Sequence, residues 1–234
     1  MRNDEDEVPV YALRLLPTIH VPMYTLYYSP GAASLVVHHF LIEAGLPHRL
    51  EKLDLQAQQH KQPDYLRLNP NGVVPTLMVD GEPMGEAAAM LLYLADRHSE
   101  CGFAPSLLAP ERKPYLQWMF VGANSLQPAF RTWFYPHEAA GEAHADAAKE
   151  RARQRIETVW AQLDGHLEGR GPFVAGPHYS AADMYLTMLM RWSRNMPRPA
   201  TAWPRLKSLA DVVRARPAWA ELYRREGLTE WGLA

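Results

Sequence analysis

The sequence has a single cysteine, Cys101, among its 234 residues. An intrachain disulfide is therefore excluded, and the composition fits a reducing compartment, so we expect a cytoplasmic protein. No apolar run approaches the roughly 18–20 residues that span a bilayer, so we expect no membrane partner. The formal net charge is −2, which predicts no general attraction to nucleic acid.

Several common catalytic and nucleotide-binding motifs are also missing. The chain contains neither G-x-G-x-x-G nor G-x-x-x-x-G-K-[ST], the glycine-rich loops that hold dinucleotides and nucleotide phosphates. It has no G-x-S-x-G nucleophile elbow, and His137-Glu138 lacks the second histidine of the H-E-x-x-H zinc motif. The ten histidines are scattered along the chain, so we expect no metal site.

Residues 1–22 do not have the pattern of a secretory signal. Positions 4–7 are all acidic, whereas a signal begins with positive charge followed by a clean apolar stretch. The stretch that follows is interrupted by Arg14 and Pro17. We interpret residues 1–22 as a weakly structured extension, and Met23, directly before the first strand pattern, as an alternative start.

Strand and helix signals alternate over residues 23–99. Aromatic and β-branched runs, glycine and proline breaks, and the Asp80-Gly81 hairpin signal define the elements. We predict strands over 24–28, 48–53, 73–79 and 82–84, and helices over 32–44, 62–68 and 86–98. This β-α-β-α-β-β-α order gives a small mixed sheet covered by helices, which is the architecture of a thioredoxin-like domain.

The remaining chain is predicted to be all-helical. A linker over 100–110 contains Gly102, Pro105 and Pro110, and no convincing strand follows it in residues 111–234. We predict helices over 111–134, 144–168, 180–192, 204–216 and 217–226. The helix over 180–192 is apolar nearly all round and should be buried. Ser180 and Asp183 have the spacing of a capping box at its start, with Asp in place of the usual Glu or Gln.

Three segments of the N-terminal half have features of a binding site. Residues 28–35 form a strand, a tight turn and a helix start, and backbone N–H groups at a helix N-terminus attract anions and lower the pKa of a nearby thiol. Val74-Pro75 places a proline at the start of a strand that should be central, which is unusual because it removes a ladder donor. Glu86 opens a helix, where it and adjacent amides could hold a ligand's amino-acid end.

These segments, in this order, resemble the cytosolic glutathione transferases, and most closely their bacterial beta class. The similarity covers about residues 23–228, and its specific parts are residues 28–35, 69–77, 85–96 and 175–183. The resemblance implies the glutathione transferase fold, a homodimer, and glutathione as co-substrate along the thioredoxin-like domain. It places the second substrate against the helical domain.

The resemblance also implies roles for individual residues. Val74 would pair its backbone with the cysteinyl part of glutathione, next to a cis Pro75, while Glu86 and Ala87 would hold the γ-glutamyl end. The turn that surrounds the thiol would be formed by Tyr28, Ala33 and Ser34.

The predicted thiol site departs from the family pattern. Beta-class enzymes carry cysteine at the position of Ala33 and related classes use serine near Ala32, but both residues are alanine here. The beta-class histidine and lysine that flank the site align with Gln127 and Pro128. Ser34 is the nearest remaining hydroxyl in the turn and is our catalytic candidate. It either activates the thiol or caps the helix.

Two functions compete at this point. The first is a glutathione-dependent transferase of the detoxification type, which activates the thiol and passes it to a small, largely apolar electrophile. Trp118, Trp133 and Phe134 could line the pocket for that electrophile, or be ordinary core aromatics. The second is a binding protein of the same fold that has lost activity and carries glutathione or apolar ligands. The two alanines favour the second function.

Overall fold

A computed structural model of the chain describes residues 24–232, so the predicted extension over 1–22 lies outside the described residues. The elements of the N-terminal half are β1 (Tyr24–Tyr28), α1 (Ser34–Glu43), β2 (His48–Lys52), α2 (Pro63–Leu66), β3 (Thr76–Val79), β4 (Glu82–Met84) and α3 (Ala87–Arg97). Those of the C-terminal half are α4 (Arg112–Val121), a π-helical turn (Gly122–Leu126), α5 (Gln127–Phe134), α6 (Pro136–Ala140), α7 (Ala145–Arg170), α8 (Ala181–Trp192), α9 (Pro204–Arg214) and α10 (Pro217–Glu226). No helix among the described residues is long and apolar enough to cross a membrane.

The four strands form one mixed sheet in the order β2-β1-β3-β4. β1 and β2 are parallel, while β1 with β3 and β3 with β4 are antiparallel. The predicted thioredoxin-like domain followed by a helical domain is therefore confirmed. β3 begins at Thr76 rather than at Val73 as predicted, because the preceding Pro75 has no N–H for the ladder.

Helix α1 lies between the sheet and the helical domain. It contacts β1 and α3 on one side and α8 and α10 on the other, so every residue from Ser34 to Leu41 is buried. Gly45, with φ of 64°, follows the helix in the left-handed region that glycine adopts most easily. The helix therefore packs against both halves of the molecule and joins them.

Helix α8 is the centre of the helical half, and its residues from Ala181 to Arg191 are all buried. The predicted capping box is present at its start. The Ser180 N–H and hydroxyl both donate to the Asp183 carboxylate at 2.8 Å, and the Val174 N–H donates to its other oxygen at 2.8 Å. Burial raises the pKa of the Asp183 carboxyl to about 6, although these hydrogen bonds oppose the rise.

Two features of the helical half differ from the prediction. The single helix expected over 111–134 is divided by the π-helical turn, and a short helix, α6, follows where none was predicted. A Cβ on Gly122 would lie 2.6 Å from Cε1 of Tyr185 in α8. The turn is therefore packed so closely against α8 that only glycine fits at its first position.

Candidate active site

The three predicted site segments lie at one edge of the sheet. Tyr27 pairs with Thr76 across β1 and β3, and Leu77 pairs with Met84 across β3 and β4. Because both pairs are antiparallel, the end of β1, the start of β3 and the end of β4 share this edge. The turn before α1, the loop before β3 and the start of α3 are thereby brought together.

The turn that follows β1 is closed by Ser34. Its buried hydroxyl donates to the Ser29 carbonyl at 3.1 Å and accepts the Ser29 N–H at 3.2 Å. Both hydrogen bonds stay within the turn, so the geometry favours the structural alternative for Ser34 over thiol activation. Its catalytic role stays a prediction.

The other side chains of the turn offer little acid–base chemistry. Ala33, directly before α1, is buried, and Ala32 is half-buried. Burial, and then the negative charge of Glu226, raise the pKa of the Tyr28 phenol, so this hydroxyl stays protonated at neutral pH. The N-terminus of α1 adds backbone N–H groups that have no partner within the helix.

The loop before β3 is fixed by two polar side chains. The Tyr65 hydroxyl and the Asn69 amide donate to the Val73 carbonyl at 2.6 and 2.9 Å. The Val74–Pro75 bond is cis, as the family resemblance implied. Val74 itself is half-buried. Its backbone is therefore held at the shared sheet edge with part of its surface open.

Glu86 has an unusual backbone conformation at the start of α3. Its φ is 67° and its ψ is 103°, a region that non-glycine residues rarely occupy and that costs on the order of 1–3 kcal/mol. Its side chain is exposed, while Ala87, the first residue of α3, is buried. The first N–H groups of α3 have no partners within the helix, and such groups attract anions.

The helical half holds the turn through both backbone groups of Gly31. The Gly31 N–H donates to Glu226 Oε2 at 2.9 Å, and the Gly31 carbonyl accepts the Trp192 indole N–H at 3.0 Å. Glu226 Oε1 accepts a hydrogen bond from His38 Nδ1 at 2.8 Å. No local sequence signal marks Glu226 or Trp192, because each lies more than 150 residues away in the chain.

The predicted pocket aromatics are not all in one place. Phe134 is 46% exposed, stacks on Phe130 and meets the edge of Trp192. Trp118 is instead buried against His166 of α7, and Trp133 lies under the ammonium of Lys149, also in α7. Among the described ring contacts, Phe134 is thus the one predicted pocket residue that touches a neighbour of the turn. Trp192 was not predicted.

Gln127 begins α5 and is half-buried. Its side-chain oxygen accepts a hydrogen bond from the Tyr185 hydroxyl at 2.5 Å. Within residues 24–232, no three His, Cys, Asp or Glu side chains are grouped so that they could hold a metal ion.

The chain matches known proteins over both halves. Residues 32–97 match the family model of the glutathione S-transferase N-terminal domain, and residues 146–225 match that of the C-terminal domain. A glutathione S-transferase of Xanthomonas campestris, GST-4.5, is 38% identical over 173 residues, which cover 72% of this chain and 81% of the relative.

Two solved structures are similar to this chain over nearly all of their length. A sphingomonad glutathione S-transferase in complex with glutathione is 34% identical, with a TM-score of 0.76 over 88% of this chain and 100% of that one. A bacterial beta-class enzyme of Sphingomonas chungbukensis is 30% identical, with the same TM-score and the same coverage. Together with the fold and the arrangement at the sheet edge, these matches show that the chain belongs to the glutathione S-transferase family.

Proposed function

We propose that this protein is an enzyme that binds glutathione at the shared sheet edge, activates its thiol and transfers it to a small, largely apolar electrophile. The observation that carries the proposal is the convergence of the Gly31 turn, Val74 and the start of α3 at that edge. The sphingomonad relative, with glutathione bound, supports the choice of ligand.

Each segment has one part of glutathione to bind. The N–H groups at the start of α3, beside Glu86 and Ala87, suit the γ-glutamyl carboxylate. The backbone of Val74 pairs with the cysteinyl part, and this places the sulfur beside Tyr28, Ala33 and the N-terminus of α1. The helix dipole of α1 favours the thiolate there.

The reaction needs no metal. The thiol releases its proton to solvent, the thiolate forms a carbon–sulfur bond with the electrophile, and the leaving group departs with its electron pair. Because residues 32 and 33 are alanines, the site lacks a hydroxyl or thiol that could donate a hydrogen bond to the thiolate. Such a hydrogen bond is worth roughly 1.5–3 kcal/mol. We therefore propose conjugation that is slower than in relatives with that group, since helix dipole and positioning remain.

The second substrate fits against the helical half. Phe134 and Trp192 present aromatic surface next to the Gly31 turn, which favours an apolar electrophile. Trp118 is buried against His166 of α7, and Trp133 is half-buried under Lys149 of the same helix, so both would affect this pocket through packing.

A homodimer and a cytoplasmic location complete the proposal. The dimer follows the family resemblance, and light scattering at several concentrations tests it. The location rests on the single cysteine.

Thermal unfolding with and without glutathione tests the binding step. Glutathione at about 100 times its dissociation constant should add roughly 2.7 kcal/mol of stability, or about 5–10 °C in Tm for a protein of this size. Glu86→Ala should reduce the shift, whereas Glu82→Ala, an equally exposed change on β4, should not. No shift at millimolar glutathione would count against the proposal. A shift without conjugation across a panel of electrophiles would favour the binding-protein alternative.

A further inference from the structure

A cavity lies at the far end of α1 from the candidate active site. Its volume is about 570 Å³, and it is lined by the linker between Cys101 and Ala109, the loop between Ala175 and Ser180, and Arg216 directly before α10. Cavities of this size at the boundary between domains are common places for small ligands. The linker joins the two halves of this chain, so the cavity lies at such a boundary.

The cavity is separate from the thiol turn. Arg216 bonds to Glu43, which is the last residue of α1, whereas Ser34 at the thiol turn is the first. A helix of this length measures roughly 15 Å. A ligand in the cavity would therefore not touch glutathione bound beside the Gly31 turn.

Arg216 has one donor to spare at the cavity wall. Its Nε and Nη2 both donate to Glu43 Oε1, at 2.9 and 2.5 Å, and its guanidinium carbon lies 4.2 Å from the centre of the Tyr179 ring. Its Nη1 has no acceptor among residues 24–232 and is not buried. Because Glu43 and Tyr179 fix the guanidinium, Nη1 is held in place for a carboxylate oxygen.

Glu111 supplies the opposite charge in the same cavity. Its half-buried carboxylate has no hydrogen-bond or ion-pair partner in the described part of the chain. A Cβ on Gly176 would lie 3.4 Å from Glu111 Cγ, so this side chain rests against Gly176, three residues before Tyr179. Three residues span at most roughly 11 Å. The free anion and the free cation therefore lie at the two ends of one short loop.

The wall between the two charges is largely apolar. The edge of the Phe103 ring meets the Tyr179 ring, with the centroids 6.0 Å apart. The Phe103 carbonyl accepts the Ala181 N–H at 2.8 Å, which fixes this part of the linker against the start of α8. The remaining apolar lining residues are Ala104, Pro105, Ala109 and Ala175.

We propose that this cavity binds a zwitterionic dipeptide whose carboxylate pairs with Arg216, whose ammonium group pairs with Glu111, and whose apolar C-terminal side chain packs against Phe103. A dipeptide separates its two charges by roughly 6–7 Å, and a hydrogen bond of about 3 Å at each end completes the span. A ligand with both charges pairs both free groups, whereas a simple carboxylate would leave Glu111 unpaired. This binding site is independent of the proposed glutathione chemistry.

The single cysteine of the chain reports directly on the cavity, because Cys101 is half-buried in its lining. Alanyl-phenylalanine should slow the alkylation of Cys101 by N-ethylmaleimide in a saturable way. The N-acetylated dipeptide and the dipeptide amide should each bind about tenfold more weakly, since each loses one charge-assisted hydrogen bond. S-methylglutathione, which has no thiol to consume the reagent, should neither protect Cys101 nor alter the effect of the dipeptide.

Variants assign the two charges. Arg216→Gln should weaken dipeptide binding about tenfold and remove the preference over the amide, while Glu111→Gln should do the same for the N-acetylated form. Arg224→Gln, an exposed change on α10, should bind as the wild type does. Ala109→Trp should fill the cavity and abolish protection, whereas Leu108→Trp, at the neighbouring exposed position, should not.

The comparison of the three ligands on the wild type decides the proposal even where a variant does not fold. Equal protection by the dipeptide and its two blocked forms would overturn the pairing with Arg216 and Glu111. Equal protection by phenylalanine alone would overturn the choice of a dipeptide. No protection at millimolar dipeptide, or protection that persists in folded Ala109→Trp, would overturn the binding site itself.

Discussion

Glu226 joins the last turn of α10 to the turn of the candidate thiol site, 195 positions earlier in the chain. Its carboxylate is fully buried and accepts hydrogen bonds from the Gly31 N–H and from His38 Nδ1. Glu226→Ala would leave the buried His38 ring and the partly buried Gly31 N–H without this acceptor. Each unsatisfied donor costs about 1–3 kcal/mol, so the two together cost about 2–6 kcal/mol. We expect Glu226→Ala to lower the free energy of unfolding by about 3–5 kcal/mol.

The loss should be smaller when the shape of the side chain is kept. Glu226→Gln retains one oxygen acceptor, so one of the two hydrogen bonds survives and about 1–3 kcal/mol should be lost. Glu221→Ala, on the same helix but paired with the exposed Arg224 and Arg225, is the matched control and should unfold like the wild type.

Urea unfolding at one fixed protein concentration measures these differences, because the stability of an oligomer depends on concentration. A loss of 3–5 kcal/mol corresponds to roughly 6–20 °C in Tm for a chain of this length. The KM for glutathione should rise in parallel, since the Gly31 turn loses its support. If Glu226→Ala were no less stable than Glu221→Ala, the hydrogen bonds of Glu226 to Gly31 and His38 would not stabilise the contact between the two halves.

Three further substitutions examine the caps and the turn. Ser180→Ala removes a donor to Asp183 and should cost about 0.5–2 kcal/mol. The Asp183 pKa is about 6 in the folded protein, against an ordinary value of 3.8, and the Ser180 hydroxyl lowers it by bonding the carboxylate. The stability lost in Ser180→Ala should therefore be larger at pH 8, where Asp183 is ionised, than near pH 5, where it is protonated in the folded state. An equal cost in denaturant titrations at both pH values would contradict this. Ser34→Ala should reduce stability by about 1–3 kcal/mol through the Ser29 hydrogen bonds, and a rate loss above tenfold at unchanged stability would make Ser34 the activating group instead. Ala33→Cys should attack oxidised glutathione, release one glutathione and keep the other as a mixed disulfide. Mass spectrometry of folded protein without this adduct would place residue 33 away from the sulfur.

Local sequence patterns predicted most of the fold. The strand over 24–28 and the hairpin at Asp80-Gly81 follow from side-chain type and turn chemistry, and the structure has both. The buried character of α8 and its capping box were equally visible, because a helix that is apolar all round has no solvated face. These features depend on residues within about one turn or one hairpin of each other.

Helix ends were harder to predict where backbone conformation overrides composition. Nothing in its side chain shows that Glu86 has a positive φ, so α3 was predicted one residue too early. The π-helical turn was missed because Gly122 is explained only by the Tyr185 ring that packs against it from α8.

The composition of the candidate site was predicted, but its organisation was not. The motifs at Val74 and Glu86 could be recognised from the sequence, and so could the absence of a hydroxyl or thiol at Ala32 and Ala33. Only the tertiary structure showed that Ser34 uses its hydroxyl within the turn, and that Trp118 packs against α7.

The contacts from the helical half were decided by the tertiary structure alone. Glu226 and Trp192 stand far from the N-terminal motifs in the chain, and each is unremarkable in its local sequence. The sequence by itself determined which backbone segments could bind a ligand, because turns and helix ends are local. The packing of α1 between the sheet and α8 and α10 determined which distant side chains reach those segments, because hydrogen bonds across a domain boundary form only after the domains have docked.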